Sequence, residues 1–282
     1  MENKGTLYII GTPIGNLEDI TLRAIKTLEL IDIILAEDTR QTLKLLNHLN
    51  IKKSLISYHR HNEVEKIEEI IKLLDKGLKV GLVSDAGMPI ISDPGQELIK
   101  ILVERKYNVE VIPGVTAVIT GLVKSGIDST SFVFEGFLSL NKKIRKEKLE
   151  SLKNETKTVV FYEAPHKILK TLKDINDVIG NRKICIAREL TKLYEEYITD
   201  DIATIITKIE EKGIKGEIVL IIEGINKEQL NKDKEEELSL ITNIELVKKF
   251  IKSGLDKKEA IKKVAKMKNL NKNEVYQECL NI

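Results

Sequence analysis

Apolar and polar positions along the chain follow two different periods. In the first half, the short apolar runs TLYII, IDIILA, SLISYH, KVGLVS and VEVI predict strands. Between them, Leu, Ile and Val recur at three- and four-residue spacing in ITLRAIKTLELI, QTLKLLNHL, VEKIEEIIKLLDKG and ELIKILVERK, which predict helices. Strands separated by helices of this length argue for a parallel sheet covered on both faces.

A second cycle follows the small-residue segment PGVTAVITGLVKSGI. SFVFEGF, TVVFYEA, KICIARE and KGEIVLIIEG read as strands and HKILKTLKDINDVI as a helix, in a unit of mixed topology. The basic stretch NKKIRKEKLESL lies between the first two of these strands. Beyond Gly224 the character changes: INKEQLNKDKEEELSL reads as a linker, and three short helical patterns close the chain. The second opens at Asp256 with Glu259 three residues on, a capping-box arrangement, and the third at Asn271 with Glu274. Ala260, Ile261, Val264, Ala265, Val275 and Leu280 are expected to face one small core, leaving Lys outside. The expected architecture is therefore α/β, with domains at 1–128 and 129–225, a linker at 226–240 and a basic helical tail at 241–282. Two short capped helices fit a helix-turn-helix module; they fit an oligomerisation or capping appendage equally well.

Trp is absent and aromatics are few, so the cores must rest on Ile, Leu and Val. No apolar run is long enough to span a bilayer, and MENKGTLYII lacks the basic start and cleavage site of a signal peptide. Cys185, in the apolar run KICIA, reads as a buried small hydrophobe, and neither it nor Cys279 belongs to a zinc or disulfide pattern. A reducing cytoplasm is the expected compartment. The net charge is only +2, yet residues 247–282 carry ten Lys against four acids and residues 141–157 carry seven Lys or Arg against three. Two basic segments on an acidic remainder point to a polyanionic partner, although solvated helix faces have the same composition.

Four loops lie at carboxyl ends of the predicted strands, where open parallel sheets bind ligands: GTPIGN, AEDTR, SDAGMPIISDPG and IPGVTA. None has the spacing of a dinucleotide or P-loop signature. In the third, Gly87 and Gly95 can take positive φ, and Pro89 and Pro94 stiffen the chain. Asp85 and Asp93 there suit helix capping or ligand contact, and a metal would need more convergent ligands. Glu37, Asp38 and Arg40 suit an ion network or proton handling. Glu163 and His166 end another strand, His59 and His61 form an H-x-H pair without a third ligand, and Arg188 and Lys192 follow a further strand.

Taken in order, LYIIGTPIGNLEDITLRA, LAEDTR, SYHRHNE, GLVSDAGMPIISDPG, VIPGVTA, FVFEGFL, FYEAPHK and IARELTK resemble the rRNA-modifying branch of the tetrapyrrole-methylase superfamily, the small-subunit methyltransferase I family. The resemblance runs through KGEIVLIIEG and the tail. It implies two α/β domains with S-adenosyl-L-methionine in the cleft between them, usually in a homodimer. It implies methylation of a cytidine ribose 2′-hydroxyl in the decoding region of small-subunit rRNA. On this basis Thr12, Pro13, Gly15, Ser84, Asp85, Ala86, Gly87, Pro89, Asp93, Pro113, Gly114, Thr116 and Ala117 would surround the cofactor. Glu37, Asp38, Arg40, Glu163 and His166 are the catalytic candidates. His59, His61, Lys142, Lys143, Arg145, Arg188, Lys192, Lys257, Lys258, Lys262 and Lys263 would meet RNA, and no metal is expected. Met88 departs from the family pattern, standing where a small hydroxyl residue is expected. A tetrapyrrole or diphthine-type methylase would share the fold and cofactor, and a non-enzymatic assembly factor would share the basic surface.

Overall fold

The computed structural model describes residues 4–226, 228, 230 and 240–280. The stretch read as a linker, 226–240, lies outside the described residues apart from positions 226, 228, 230 and 240. The chain forms two compact units, Met1–Glu223 and Gly224–Ile282.

The larger unit holds two five-stranded sheets. The first contains β1 (Thr6–Ile10), β2 (Ile33–Ala36), β3 (Ser54–Ser57), β4 (Val80–Val83) and β5 (Asn108–Ile112). They lie in the order β3-β2-β4-β1-β5 with every pairing parallel. Side chains alternate across it: Leu7 and Ile9 enter the core under α3 (Glu63–Asp75) and α4 (Gln96–Glu104). Tyr8 and Ile10 enter the opposite core, under α1 (Leu22–Leu30) and α2 (Thr39–His48). The inner strands β1, β2 and β4 are buried on both faces, which is why they read as continuous apolar runs. The connection from β1 runs toward one edge and that from β4 toward the other, so the strand order reverses between β1 and β4.

α5 (Ala117–Lys124) leads to the second, mixed sheet. Its strands β6 (Phe132–Phe137), β7 (Thr158–Glu163), β8 (Lys183–Arg188), β9 (Glu196–Asp201) and β10 (Ile218–Ile222) lie in the order β6-β7-β10-β8-β9. Only β6 and β7 pair in parallel. Again the period is two. Ile218, Leu220 and Ile222 face α6 (Lys142–Leu152), α7 (Ile168–Ile179) and α8 (Ile202–Lys212), while Val219 and Ile221 face α5. Cys185 is fully buried on the α5 side. β9, an edge strand of sequence EYITDD, and α8 are additions to the elements that the apolar runs predict. The position expected as a domain boundary, 128/129, falls between α5 and β6 within this one compact unit.

The smaller unit contains α9 (Asn243–Lys252), α10 (Lys257–Met267) and α11 (Lys272–Glu278). Asp256 accepts the Glu259 N–H and Asn271 that of Asn273, so both predicted starts are capped. Both bonds of a capping box occur at the start of α9, between Thr242 and Glu245. Leu246 and Val247 pack on Ala260, Ile261, Val264, Ala265 and Val275. Leu280 corrects the expected core list: it is 50 % exposed, and Cys279, one residue earlier, is buried in its stead.

Candidate active site

Three loops leave the carboxyl ends of β1, β4 and β5 beside the point where strand order reverses, the place where open α/β sheets bind ligands. They are fastened to one another. Thr12 and Gly87 exchange backbone hydrogen bonds of 2.9 and 3.1 Å, and Thr12 Oγ1 donates to the Ser84 carbonyl at 3.3 Å. The Gly114 N–H donates to Met88 Sδ at 3.2 Å, so at this unusual position a thioether serves as the acceptor. Gly11 and Gly114 approach so closely that a Cβ on Gly11 would lie 2.7 Å from the Gly114 Cα and from Met88 Sδ.

The long loop after β4 also carries strain. Ile90 and Ser92 hold φ of 78° and 71°, a conformation that costs a β-branched residue about 1–3 kcal/mol. The Arg60 guanidinium donates to the Ser92 carbonyl, and the Gly95 N–H to Glu63 Oε2 at 2.9 Å, which secures the far end. Gly95 starts α4 without a side-chain cap, so neither Asp85 nor Asp93 caps that helix. Asp85 Oδ1 instead accepts the Asp38 N–H at 2.9 Å.

The loops open onto a cleft of two lobes. The first, about 420 Å³, runs past Gly87, Met88 and Asp93 to Thr116 and Ala117. Its far wall comes from the second sheet and its flanks, through Phe137, Tyr162, Leu190 and Ile218. Phe137 is 57 % exposed and packs against the Tyr162 ring at 5.5 Å. The second lobe, about 470 Å³, is lined by Thr12, Pro13, Gly15, Gln41, Thr42, Lys44, Ser84 and Lys192. Ile14, Asp85, Ala86 and Glu217 border both.

Glu37, Asp85 and Asp93 line the first lobe together with Glu163 and Glu217. Burial raises the Glu37 carboxyl, and the charge of Asp85 adds to this. Asp85 is likewise raised by burial. Asp93 is pushed up to about 6, first by burial and then by Glu37, against the pull of a hydrogen bond from the Ser84 hydroxyl. Asp38 is the opposite case: hydrogen bonds from the Arg40 side chain and backbone hold it down at about 2.

The remaining sequence candidates divide. Asp38 caps α2 and pairs with Arg40 at 2.7 Å, so this pair shapes the helix start and lines neither lobe. Glu163 borders the first lobe, but its carboxylate accepts from the Ala164 N–H at 2.8 Å and Thr171 Oγ1 at 2.6 Å, which spends it on the start of α7. His166 and His61 are exposed and His59 is half-buried, and none of the three borders a lobe; Pro89, Pro113 and Gly114 likewise line neither lobe. Among the described residues no group of three His, Cys, Asp or Glu is placed to hold a metal ion.

Arg145, expected to face RNA, is corrected by the structure. It is 5 % exposed, bonds Asp174 at 2.6–2.7 Å and donates to the Ser139 and Leu140 carbonyls, binding α6 to α7. Lys142 and Lys143 on the same helix are exposed. Arg188 pairs with Glu196, and Lys192 with both Glu189 and Glu217. Lys258, Lys262 and Lys263 are exposed in the tail, with Lys263 over the Phe250 ring; Lys257 is half-buried, and its ammonium donates to the Leu280 carbonyl. Gln41, Thr42 and Lys44 on α2 line the second lobe and were missed by sequence reasoning, as were the wall residues Ile14, Phe137, Tyr162, Leu190 and Glu217. The signal available for the wall residues was their position at or just beyond strand ends.

Residues 6–206 match the model of the family described as Tetrapyrrole (Corrin/Porphyrin) Methylases. The chain is 46 % identical to the ribosomal RNA small subunit methyltransferase I of Bacillus subtilis, over 96 % of this chain and 93 % of that protein. It is 47 % identical to the protein of the same name from Thermotoga maritima, over 78 % of this chain and 99 % of that one. Among solved structures it resembles a uroporphyrin-III C-methyltransferase from Thermus thermophilus complexed with S-adenosyl homocysteine. That likeness has a TM-score of 0.56 and 16 % identity, and covers 78 % of this chain and 97 % of that one. The chain belongs to the tetrapyrrole methylases and, within them, to the ribosomal RNA small subunit methyltransferase I family.

Proposed function

We propose that this protein transfers a methyl group from S-adenosyl-L-methionine to the ribose 2′-hydroxyl of a cytidine in the decoding region of small-subunit (16S) rRNA. The observation that carries the reading is the first lobe of the cleft, at the switch point of a tetrapyrrole-methylase fold. Its volume suits a ligand of nucleoside size. Apolar surface from Met88, Leu190 and Ile218 fits an adenosine, and Glu37, Asp85 and Asp93 complement the positive charges of a sulfonium amino acid. The relatives' shared name supports rRNA as the acceptor. The finer target, a cytidine 2′-oxygen, comes from the family resemblance.

S-adenosyl-L-methionine, when bound, supplies an electrophilic methyl. The chain's own contribution begins with positioning: loops fixed by the Thr12–Gly87 bridge and the Gly114–Met88 bond cannot drift, and alignment of the reacting groups supplies much of the rate. A ribose hydroxyl is a weak nucleophile, so a carboxylate that accepts its proton assists. Asp85 borders both lobes and keeps its Oδ1 engaged by the Asp38 N–H, which orients the carboxylate. We assign it that role, with Glu37 and Asp93 holding the cofactor's cationic groups. The exposed Lys142, Lys143, Lys258, Lys262 and Lys263 suit phosphate contacts. A cytoplasmic homodimer acting on rRNA or on the assembled small subunit completes the reading.

Equilibrium dialysis with labelled S-adenosyl-L-methionine tests the first step. Saturable binding that Asp93→Asn weakens is expected, and a folded protein that binds no cofactor would reduce the chain to an rRNA-binding assembly factor. Transfer is then assayed with small subunits, naked rRNA and a tetrapyrrole acceptor side by side. Methylation of the tetrapyrrole alone would move the reading to the small-molecule branch of the family.

A further inference from the structure

We propose that the second lobe of the cleft, with the exposed face of α2, is the acceptor subsite: it takes the sugar-phosphate of a single-stranded RNA segment. Thr42 and Lys44 are its contacts there. The inference rests on the function proposed above and assigns the acceptor a place that the function leaves open.

Four observations carry it. The lobe is large enough for a nucleotide and shares the Asp85–Ala86 wall with the first lobe, so occupants of the two would meet at Asp85. Its lining is more polar than that of the first: Thr12, Gln41, Thr42, Lys44, Ser84 and Lys192 contribute, beside the shared Asp85 and Glu217. Thr42 borders the lobe and is 5 % exposed, and its hydroxyl has no hydrogen-bond partner within the fold, an unusual state for a buried polar group; turned toward the lobe, it would meet a ligand oxygen. Lys44 bonds only the neutral Gln41 side chain, at 3.1 Å, and makes no ion pair among the described residues, whereas Lys192 is already neutralised by Glu189 and Glu217.

The helix extends the lobe into a track. Arg40, Lys44 and His48 follow one another at four-residue spacing, all exposed, and α2 itself contains no acidic residue, although Arg40 also pairs with the capping Asp38. Phosphates of an extended strand leaving the lobe would pass along this row. Sequence-independent contacts of this kind hold register while the cleft selects the nucleotide.

The test uses the full chain with Lys44→Ala, Thr42→Val and Thr42→Ser. Each is measured for melting temperature, S-adenosyl-L-methionine affinity, and KM and kcat on an rRNA substrate at several salt concentrations. With folding and cofactor affinity unchanged, Lys44→Ala is expected to raise KM about tenfold and to lessen the salt slope by about 0.7, the value of one single-strand phosphate contact. Thr42→Val should raise KM about fivefold and Thr42→Ser restore it, as for the loss of one ordinary hydrogen bond. Unchanged KM in both variants, or a loss confined to cofactor affinity, overturns the proposal while leaving the methyltransferase reading intact. A wild-type protein that binds cofactor yet methylates no RNA overturns the reading itself, and this proposal with it.

Discussion

Replacing Asp93 with Asn isolates the cost of holding a carboxylate in the first lobe. Asp93 titrates near 6 in the fold, because burial and Glu37 disfavour its charge, and an unfolded Asp titrates near 4. Between those values the folded chain binds more protons than the unfolded one, so stability falls as pH rises through this window and the cost persists above it. Fully expressed, the difference is about 3 kcal/mol. The side chain is only half-buried, so solvent screening reduces it to roughly 1–1.5 kcal/mol. Asn keeps an acceptor oxygen for the Ser84 hydroxyl and removes the charge. At about pH 7.5 the variant should melt about 3–5 °C above wild type, shrinking to about 1 °C near pH 4. Scanning calorimetry across that range measures the difference. A gap that is constant with pH, or one that widens toward acid, would refute the assignment of a raised, destabilising carboxylate. The same variant should bind S-adenosyl-L-methionine less well, the trade between stability and activity expected of a functional carboxylate.

Four further outcomes are expected. Affinity for the cationic cofactor should rise with pH through about 6, as Asp93 ionises, and level off above; a flat dialysis profile from pH 5 to about 7.5 would contradict its role. Gly11→Ala forces a Cβ to 2.7 Å from Gly114, so a loss of about 2–4 kcal/mol in denaturant titration is expected, while Gly121→Ala, with 3.4 Å to Val219, should cost under about 1 kcal/mol. Arg145→Ala should cost about 3 kcal/mol, because it leaves Asp174 and two carbonyls unpaired, whereas Lys142→Ala should leave the melt unchanged. Glu163→Gln should destabilise by about 1 kcal/mol through Thr171 and leave kcat within about twofold of wild type; a large fall in kcat would return Glu163 to the chemistry.

Much of the architecture is written in the apolar runs. Strands such as IVLII and TLYII are buried on both faces, and that double burial leaves a signal readable without neighbours. β9 is hidden because it is an edge strand ending in acids, with no residue fully buried. Leu280 and Cys279 exchange roles because α11 stops at Glu278, and one residue past a helix end the apolar period no longer applies. The site is legible in part: Gly, Pro and Asp mark the loops after β1, β4 and β5, since turns and close approaches demand them. Which carboxylates face the cleft is not written there. Asp38 and Glu37 are adjacent in sequence, yet one is spent on Arg40 and the other borders the first lobe. Arg145 reads as one more cation in a basic stretch until Asp174, 29 residues on, closes over it. Phe137, Tyr162 and Leu190 carry no chemical signature, and only the packing of the second sheet beside the first assigns them to the wall.

The most direct measurement supplies labelled S-adenosyl-L-methionine with small subunits, and separately naked rRNA, from cells lacking this enzyme. The product is then digested to nucleosides and the labelled position mapped. Label on the 2′-oxygen of one cytidine in the decoding region is the predicted result. Label on a base, or none on RNA while the cofactor remains bound, would contradict the account.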